Sequence, residues 1–206
     1  MSLDELREQN KQLVTEKALE LFIKNGIAAT KIKDIAKAAG VTERSVFRYF
    51  PTKTDIVQAA AYHYWWVAQD EAFGGAVSGD LTGIEQIRAY LRMYCDYFLK
   101  YPGGARFTVD AEIAFYVAGR NDIRRPPDPY ENSERLLVKA IKKGLTDGTV
   151  DPGCDPRELY YNCYDAILGV LQRIARDATG PEMLDNKKRM RSLCDMFAAR
   201  FAGEKR

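Results

Sequence analysis

Histidine occurs once, at His63, which nearly excludes a histidine-built zinc site or a Ser-His triad. No P-loop, G-x-S-x-G or glycine-rich dinucleotide turn is present, which speaks against an enzyme and calls for no cofactor. The four cysteines, Cys95, Cys154, Cys163 and Cys194, are scattered and form no C-x-x-C pair. No apolar run approaches the roughly eighteen residues of a membrane span, and the start, Met1-Ser2-Leu3-Asp4-Glu5, is acidic and lacks a signal-peptide core. The expectation is a cytoplasmic protein with no membrane partner and reduced thiols, buried as small apolar side chains, a redox-sensing pair being the alternative. Charge of one sign is also scarce overall: 31 Lys+Arg face 29 Asp+Glu, a formal net charge of +2. Such a balance leaves the question of a polyanionic partner to where the charge sits.

Proline is absent before Pro51, and no stretch alternates with period two. What is there reads as helix after helix. Val14, Ala18, Leu21 and Phe22 fall on one stripe, stopped by Asn25-Gly26. Thr30 is the expected cap of a second helix with Ile32, Ile35, Ala36 and Ala39 inward, and Gly40 ends it. Thr42 caps a third from Glu43 to Tyr49, carrying Val46 and Phe50 toward the core. Pro51 stops it, and Thr52-Lys53-Thr54-Asp55 has the form that opens a fourth. Further helices are expected over 55–73, 84–101, 106–118 and 131–145, then on the stripes Leu159–Ile174 and Met190–Phe201. Loops are expected from Gly74-Gly75 to Gly83, at Pro102-Gly103-Gly104 and over Asn121–Tyr130. The fold class is all-α with about nine helices. The domain division is 1–52, a helix-turn-helix domain, and 53–206, a larger all-helical domain.

From Lys24 to Lys53 the chain holds seven cations (Lys24, Lys31, Lys33, Lys37, Arg44, Arg48, Lys53) against Asp34 and Glu43. The local excess is larger than that of the whole protein, and it sits on two short helices joined by Ala-Gly-Val-Thr. Ala36 permits close helix approach, Gly40 supplies the turn, and Val41 and Val46 complete a shared core. A second helix held proud of the surface in this way can enter a major groove. Singly these cations are solvated surface charges; together with the helix pair they are a phosphate-binding footprint.

The run Thr30-Lys-Ile-Lys-Asp-Ile-Ala-Lys-Ala-Ala-Gly-Val-Thr-Glu-Arg-Ser-Val-Phe-Arg-Tyr-Phe-Pro-Thr-Lys-Thr-Asp-Ile56 resembles the signature of TetR-family transcription regulators. The resemblance implies a DNA-binding domain here and a helical inducer-binding, dimerising domain beyond it. It implies that Thr42, Glu43, Arg44, Ser45, Phe47 and Arg48 belong to the DNA-reading helix, with Arg44 and Arg48 able to fork onto guanine. Glu43 would orient an arginine or accept from cytosine. Tyr49, Thr52 and Lys53 would hold the phosphate backbone, and Lys31, with Thr30 before it, would take a phosphate contact where the family often has a small hydroxyl residue. Phe47 stands where the family commonly has a phosphate-binding tyrosine, and would pack on sugar or a thymine methyl.

Apart from Phe22, Phe47, Tyr49 and Phe50, every aromatic residue lies beyond Asp55. They fill a core, or they line a ligand cavity for which Tyr62, Trp65, Trp66, Tyr90, Tyr94, Tyr97, Phe115 and Tyr116 are the candidates. The two final stripes cover the subunit's own core or make a homodimer interface; the resemblance implies the latter, through Leu159, Cys163, Ile167, Val170, Leu171, Ile174, Met190, Leu193, Phe197 and Phe201. The functional expectation is a homodimeric repressor released from a near-palindromic double-stranded DNA operator by a small-molecule inducer. A TetR-like protein of chromosome organisation, or a small-molecule module without DNA binding, is the alternative.

Overall fold

The computed structural model describes residues 2–68, 79–176 and 185–203. Among them the chain is all-helical, in two compact units: residues 1–69 with 106–124, and residues 70–105 with 125–206. The expected helix end at 73, most of the Gly74–Gly83 loop and the Gly180-Pro181 break lie outside the described residues.

The first unit opens with α1 (Leu3–Asn25), capped by Ser2, whose hydroxyl accepts from the Glu5 amide while Glu5 accepts from the Ser2 amide. Val14, Ala18 and Phe22 of the expected stripe are buried, joined by Leu19. Gly26, at φ 83°, ends the helix. Then come α2 (Ile32–Ala38), α3 (Glu43–Tyr49) and α4 (Lys53–His63). A π-turn, Tyr64–Ala68, follows α4. Ile56, Val57, Ala60 and Ala61 of α4 are wholly buried in this unit. The residue 52/53 boundary read from sequence therefore falls inside the unit, because the apolar stripe of α4 needs the first helices to cover it.

The helix α6 (Pro102–Val117) gives its residues from Arg106 onward to this unit. Phe107 stacks on Phe22 at 6.1 Å between centroids and receives the edge of Tyr64 at 5.9 Å. Arg106 donates to the Ile23 carbonyl in the last turn of α1. Pro102-Gly103-Gly104, expected as a loop, is the first turn of α6: a proline at the first helical position loses no hydrogen bond.

The second unit is built on α5 (Gly83–Lys100), α7 (Leu136–Asp147), α8 (Pro156–Arg176) and α9 (Asn186–Ala202). Thr82 and Glu85 form a capping box, and the Gly83 and Ile84 amides donate to Asp147 Oδ2 and Thr149 Oγ1. Gly83 and Gly144 let α5 and α7 touch backbone to backbone: a Cβ on Gly83 would stand 2.0 Å from the Gly144 nitrogen. The helix expected from residue 131 begins five residues later. Asn132 and Arg135 instead fold back on the buried Asp128 carboxylate, at 2.8 and 2.6 Å, and Asn132 Oδ1 takes the Glu134 amide. Side-chain bonds of this kind compete with helix formation.

Candidate nucleic-acid interface

The corner between α2 and α3 is tied by backbone bonds from Ala39 to Ile35 and from Val41 to Ala36. Gly40 sits at φ 66°, where a Cβ would be strained. Ile35, Ala36, Ala39, Val46 and Phe50 fill the core beneath. Thr42 caps α3, its hydroxyl accepting from the Ser45 amide at 3.1 Å and lying 3.0 Å from Ser45 Oγ.

Of the seven residues of α3 only Val46 is buried. Glu43, Arg44, Phe47 and Arg48 are exposed, Ser45 and Tyr49 half-buried. Phe47 keeps 48% of its surface in water, which a core-packing role does not explain. Arg48 lies over the Tyr49 ring at 5.3 Å and donates to its hydroxyl at 3.3 Å, so the two present one stacked cation–phenol surface. Lys24, Lys31, Lys33 and Lys37 are also exposed.

Three of the residues expected to meet DNA also have partners within the chain. Thr30 is buried and its hydroxyl donates to the Gly26 carbonyl at 2.9 Å, so it builds the α1–α2 corner. It also stands one residue before the observed cap of α2, Lys31. Thr52 accepts from the Asp55 amide and donates to Asp55 Oδ2, closing the cap of α4. The Lys53 ammonium donates to the Ile27 carbonyl at 2.5 Å, and burial lowers its pKa. A residue the sequence reading passed over completes this corner. Arg120 reaches Asp55 Oδ1 at 3.4 Å and Gln58 Oε1 at 2.9 Å, while Asp122 holds it from the far side at 2.9 Å. Those hydrogen bonds, Asp122 first, raise the Arg120 pKa. An arginine in a surface loop carries no sequence signal of that partnership.

The aromatic candidates separate into two clusters. In the first unit Trp65 meets Tyr62, Trp66 and Phe115, each between 6.2 and 6.4 Å. Trp65 is buried, and its indole N–H meets no acceptor among the described residues. Tyr116 is 81% exposed and lines no interior, because it lies on the outer face of α6. In the second unit Tyr90 stacks on Tyr94, whose hydroxyl donates to that of Tyr164 at 3.5 Å, while Tyr97 packs on Phe98. Tyr160 and Tyr164, absent from the sequence candidates, join this row. Burial raises the pKa of both, Tyr164 to about 12.

Of the residues expected at a dimer interface, Leu159, Cys163, Ile167, Leu171, Met190 and Phe201 are buried within the protomer itself. They pack within the second unit. Val170, Ile174, Leu193 and Phe197 are half-exposed.

A short helix pair with a glycine corner, its second helix bare and basic, defines a helix-turn-helix protein of the DNA-binding type. Residues 14–60 match the family profile of bacterial regulatory proteins of the tetR family. The HTH-type transcriptional regulator LuxR of Vibrio harveyi is 42% identical over 55 residues, 27% of each chain. The HTH-type regulator AcrR of Shigella flexneri is 37% identical over 49 residues, 24% of this chain and 23% of its own. The chain thus spans about a quarter of the length of the curated relatives it matches. Over nearly its whole length the fold is similar to that of RolR in complex with resorcinol, with a TM-score of 0.63 at 16% identity, covering 98% of this chain and 91% of that one. No helix among the described residues is long and apolar enough to cross a membrane.

Proposed function

We propose that this protein is a sequence-specific transcription regulator, a repressor that a small molecule releases from a near-palindromic operator. The observation that carries the reading is the bareness of α3: one buried anchor, Val46, and two exposed arginines at i and i+4. With its side chains an α-helix is about 10–12 Å across, a match for a major groove about 12 Å wide. Arg44 and Arg48 read base edges, with Phe47 against sugar or methyl. Tyr49 and the lysines Lys31, Lys33 and Lys37 bind phosphate.

A twofold dimer sets two such helices about 34–36 Å apart, and the half-exposed Val170, Ile174, Leu193 and Phe197, with Met196 at 44% exposure, supply the apolar contact. The inducer is aromatic with polar substituents, as the resorcinol of the similarly folded RolR is. The unanswered indole N–H of Trp65 supports this reading, since a buried donor without an acceptor costs about 1–3 kcal/mol that a ligand oxygen would recover. Inducer action is bounded by its differential affinity for the two states.

The test is a salt titration of binding to the DNA upstream of the protein's own coding sequence, against random DNA. Preference of about a thousandfold or more with a steep salt slope is the expected result. Weak, salt-insensitive binding to both would remove the DNA-binding function.

A further inference from the structure

Four buried thiols sit in the second unit, and two of them face each other. Cys95 on α5 and Cys194 on α9 lie with their sulfurs 3.3 Å apart, in hydrogen-bond contact, 99 residues apart in sequence. Each is carried by a buried helix stripe: Leu91, Tyr94, Cys95 and Phe98 on one side, Met190, Cys194, Ala198 and Phe201 on the other. At the water's edge, three residues before Cys95 and one after Cys194, Arg92 pairs with Asp195 at 2.6 Å with both side chains about half exposed. The same two helices are thus pinned outside by an ion pair and touch inside through two sulfurs. A disulfide of about 2.05 Å asks each sulfur to move by only about 0.6 Å.

We propose that Cys95 and Cys194 form a reversible disulfide under peroxide, tying α5 to α9 and making the second unit responsive to oxidation. The Cys194 thiolate attacks the terminal oxygen of a hydroperoxide and breaks the O–O bond. Sulfur is oxidised to the sulfenic acid, and the peroxide leaves as an alcohol or, from hydrogen peroxide, as water. The Cys95 sulfur then attacks the Cys194 sulfenic sulfur. The S–S bond forms, the S–O bond breaks, and the hydroxyl departs as water with the Cys95 proton. Two thiols and one peroxide give one disulfide and two leaving oxygens, in balance.

The local chemistry assigns the two roles. The two sulfurs share one hydrogen bond in which either thiol can donate, and Arg92, paired with Asp195 beside Cys194, sets a cation on that side; donation from Cys95 lowers the pKa of Cys194 against the opposing effect of burial and raises that of Cys95. Cys194 is the attacking sulfur and Cys95 the resolving one. Cys163, the nearest competitor, spends its thiol proton on the Tyr160 carbonyl at 3.2 Å and is held up to about 12 by burial.

The experiment uses the full, folded protein exposed to hydrogen peroxide, then alkylated under denaturing conditions, digested with trypsin and read by mass spectrometry. The expected product joins peptides 93–100 and 192–200 with the loss of two hydrogens and falls apart on dithiothreitol. The oxidised protein melts higher than the reduced one by roughly 5 °C or more, since the bridge closes a long loop, and Cys95→Ala abolishes both the product and the shift. Full alkylation of Cys95 and Cys194 at a peroxide dose that oxidises free glutathione would overturn the proposal. So would a bridge made by Cys154 or Cys163 instead.

Discussion

Replacing Gly83 by alanine adds one methyl group to a place where two helices already touch. An ideal Cβ there stands 2.0 Å from the Gly144 nitrogen, 2.1 Å from its Cα and 2.8 Å from the Ala140 carbonyl oxygen. All three are backbone atoms of α7, so no side-chain rotation relieves the contact. Carbon contacts settle near 3.5–4.0 Å, and α5 must therefore back away from α7 by about 1.5 Å. The Gly83 and Ile84 amides are held by Asp147 and Thr149 and would be drawn off their acceptors. Overpacking costs about 1–3 kcal/mol, and contact with rigid backbone places this case at the upper end, near 3 kcal/mol. For a chain of this length each kcal/mol moves the melting temperature by about 2–4 °C, giving a fall of roughly 6–12 °C. The Gly144→Ala variant is the companion: its methyl meets Val150 Cγ2 at 2.3 Å, a side chain that can turn, so the loss is smaller. Thermal denaturation followed by circular dichroism at 222 nm, on reduced protein, measures both. A Gly83→Ala melting point within about 1 °C of wild type, or a larger loss in Gly144→Ala, would refute the reasoning.

Arg44→Ala should cost about 1–3 kcal/mol of operator affinity and relax the preference at one base pair, whereas Lys37→Ala should weaken all sequences alike and lower the salt slope by about one; competitive fluorescence anisotropy on operator and random duplexes separates them. Lys53→Ala should lower fold stability by about 1 kcal/mol in urea unfolding, because its ammonium bonds the Ile27 carbonyl. The folded-state pKa of Tyr164, about 12, lies above the ordinary value of 10.0, so the fold favours its neutral form. That stability is complete below pH 10 and disappears as pH climbs through 12, so absorbance at 295 nm should show delayed phenol ionisation, ending in unfolding. Val170→Asp with Phe197→Asp should yield monomers by light scattering while circular dichroism stays unchanged.

Where local chemistry decides the backbone, the sequence could be read to the residue. The Thr42 cap, the Gly40 corner and the Thr52–Asp55 box stand where propensity and capping rules put them. Where tertiary contacts decide, it could not. Asp128 holds back the start of α7, and the proline before Gly103-Gly104 opens a helix that a turn-rich dipeptide seemed to forbid. The exposed positions of α3 were readable because the helix pair dictates which of its residues are bare. The interface stripe was not: period 3.6 marks a buried face but cannot say whether the protomer or a partner buries it, and six of ten residues proved to be internal.

Asp55 divides its two oxygens between separate stretches of chain. One closes the first turn of α4, six residues past the end of α3; the other meets an arginine 65 positions downstream. A side chain with two such employers has little freedom to drift. Asparagine forfeits the charge, and a lysine at position 120 offers a point where a fork is needed. In a lineage descending from this sequence, positions 55 and 120 should therefore mutate as a couple or stay still, leaving a trace of paired inheritance between the two stretches.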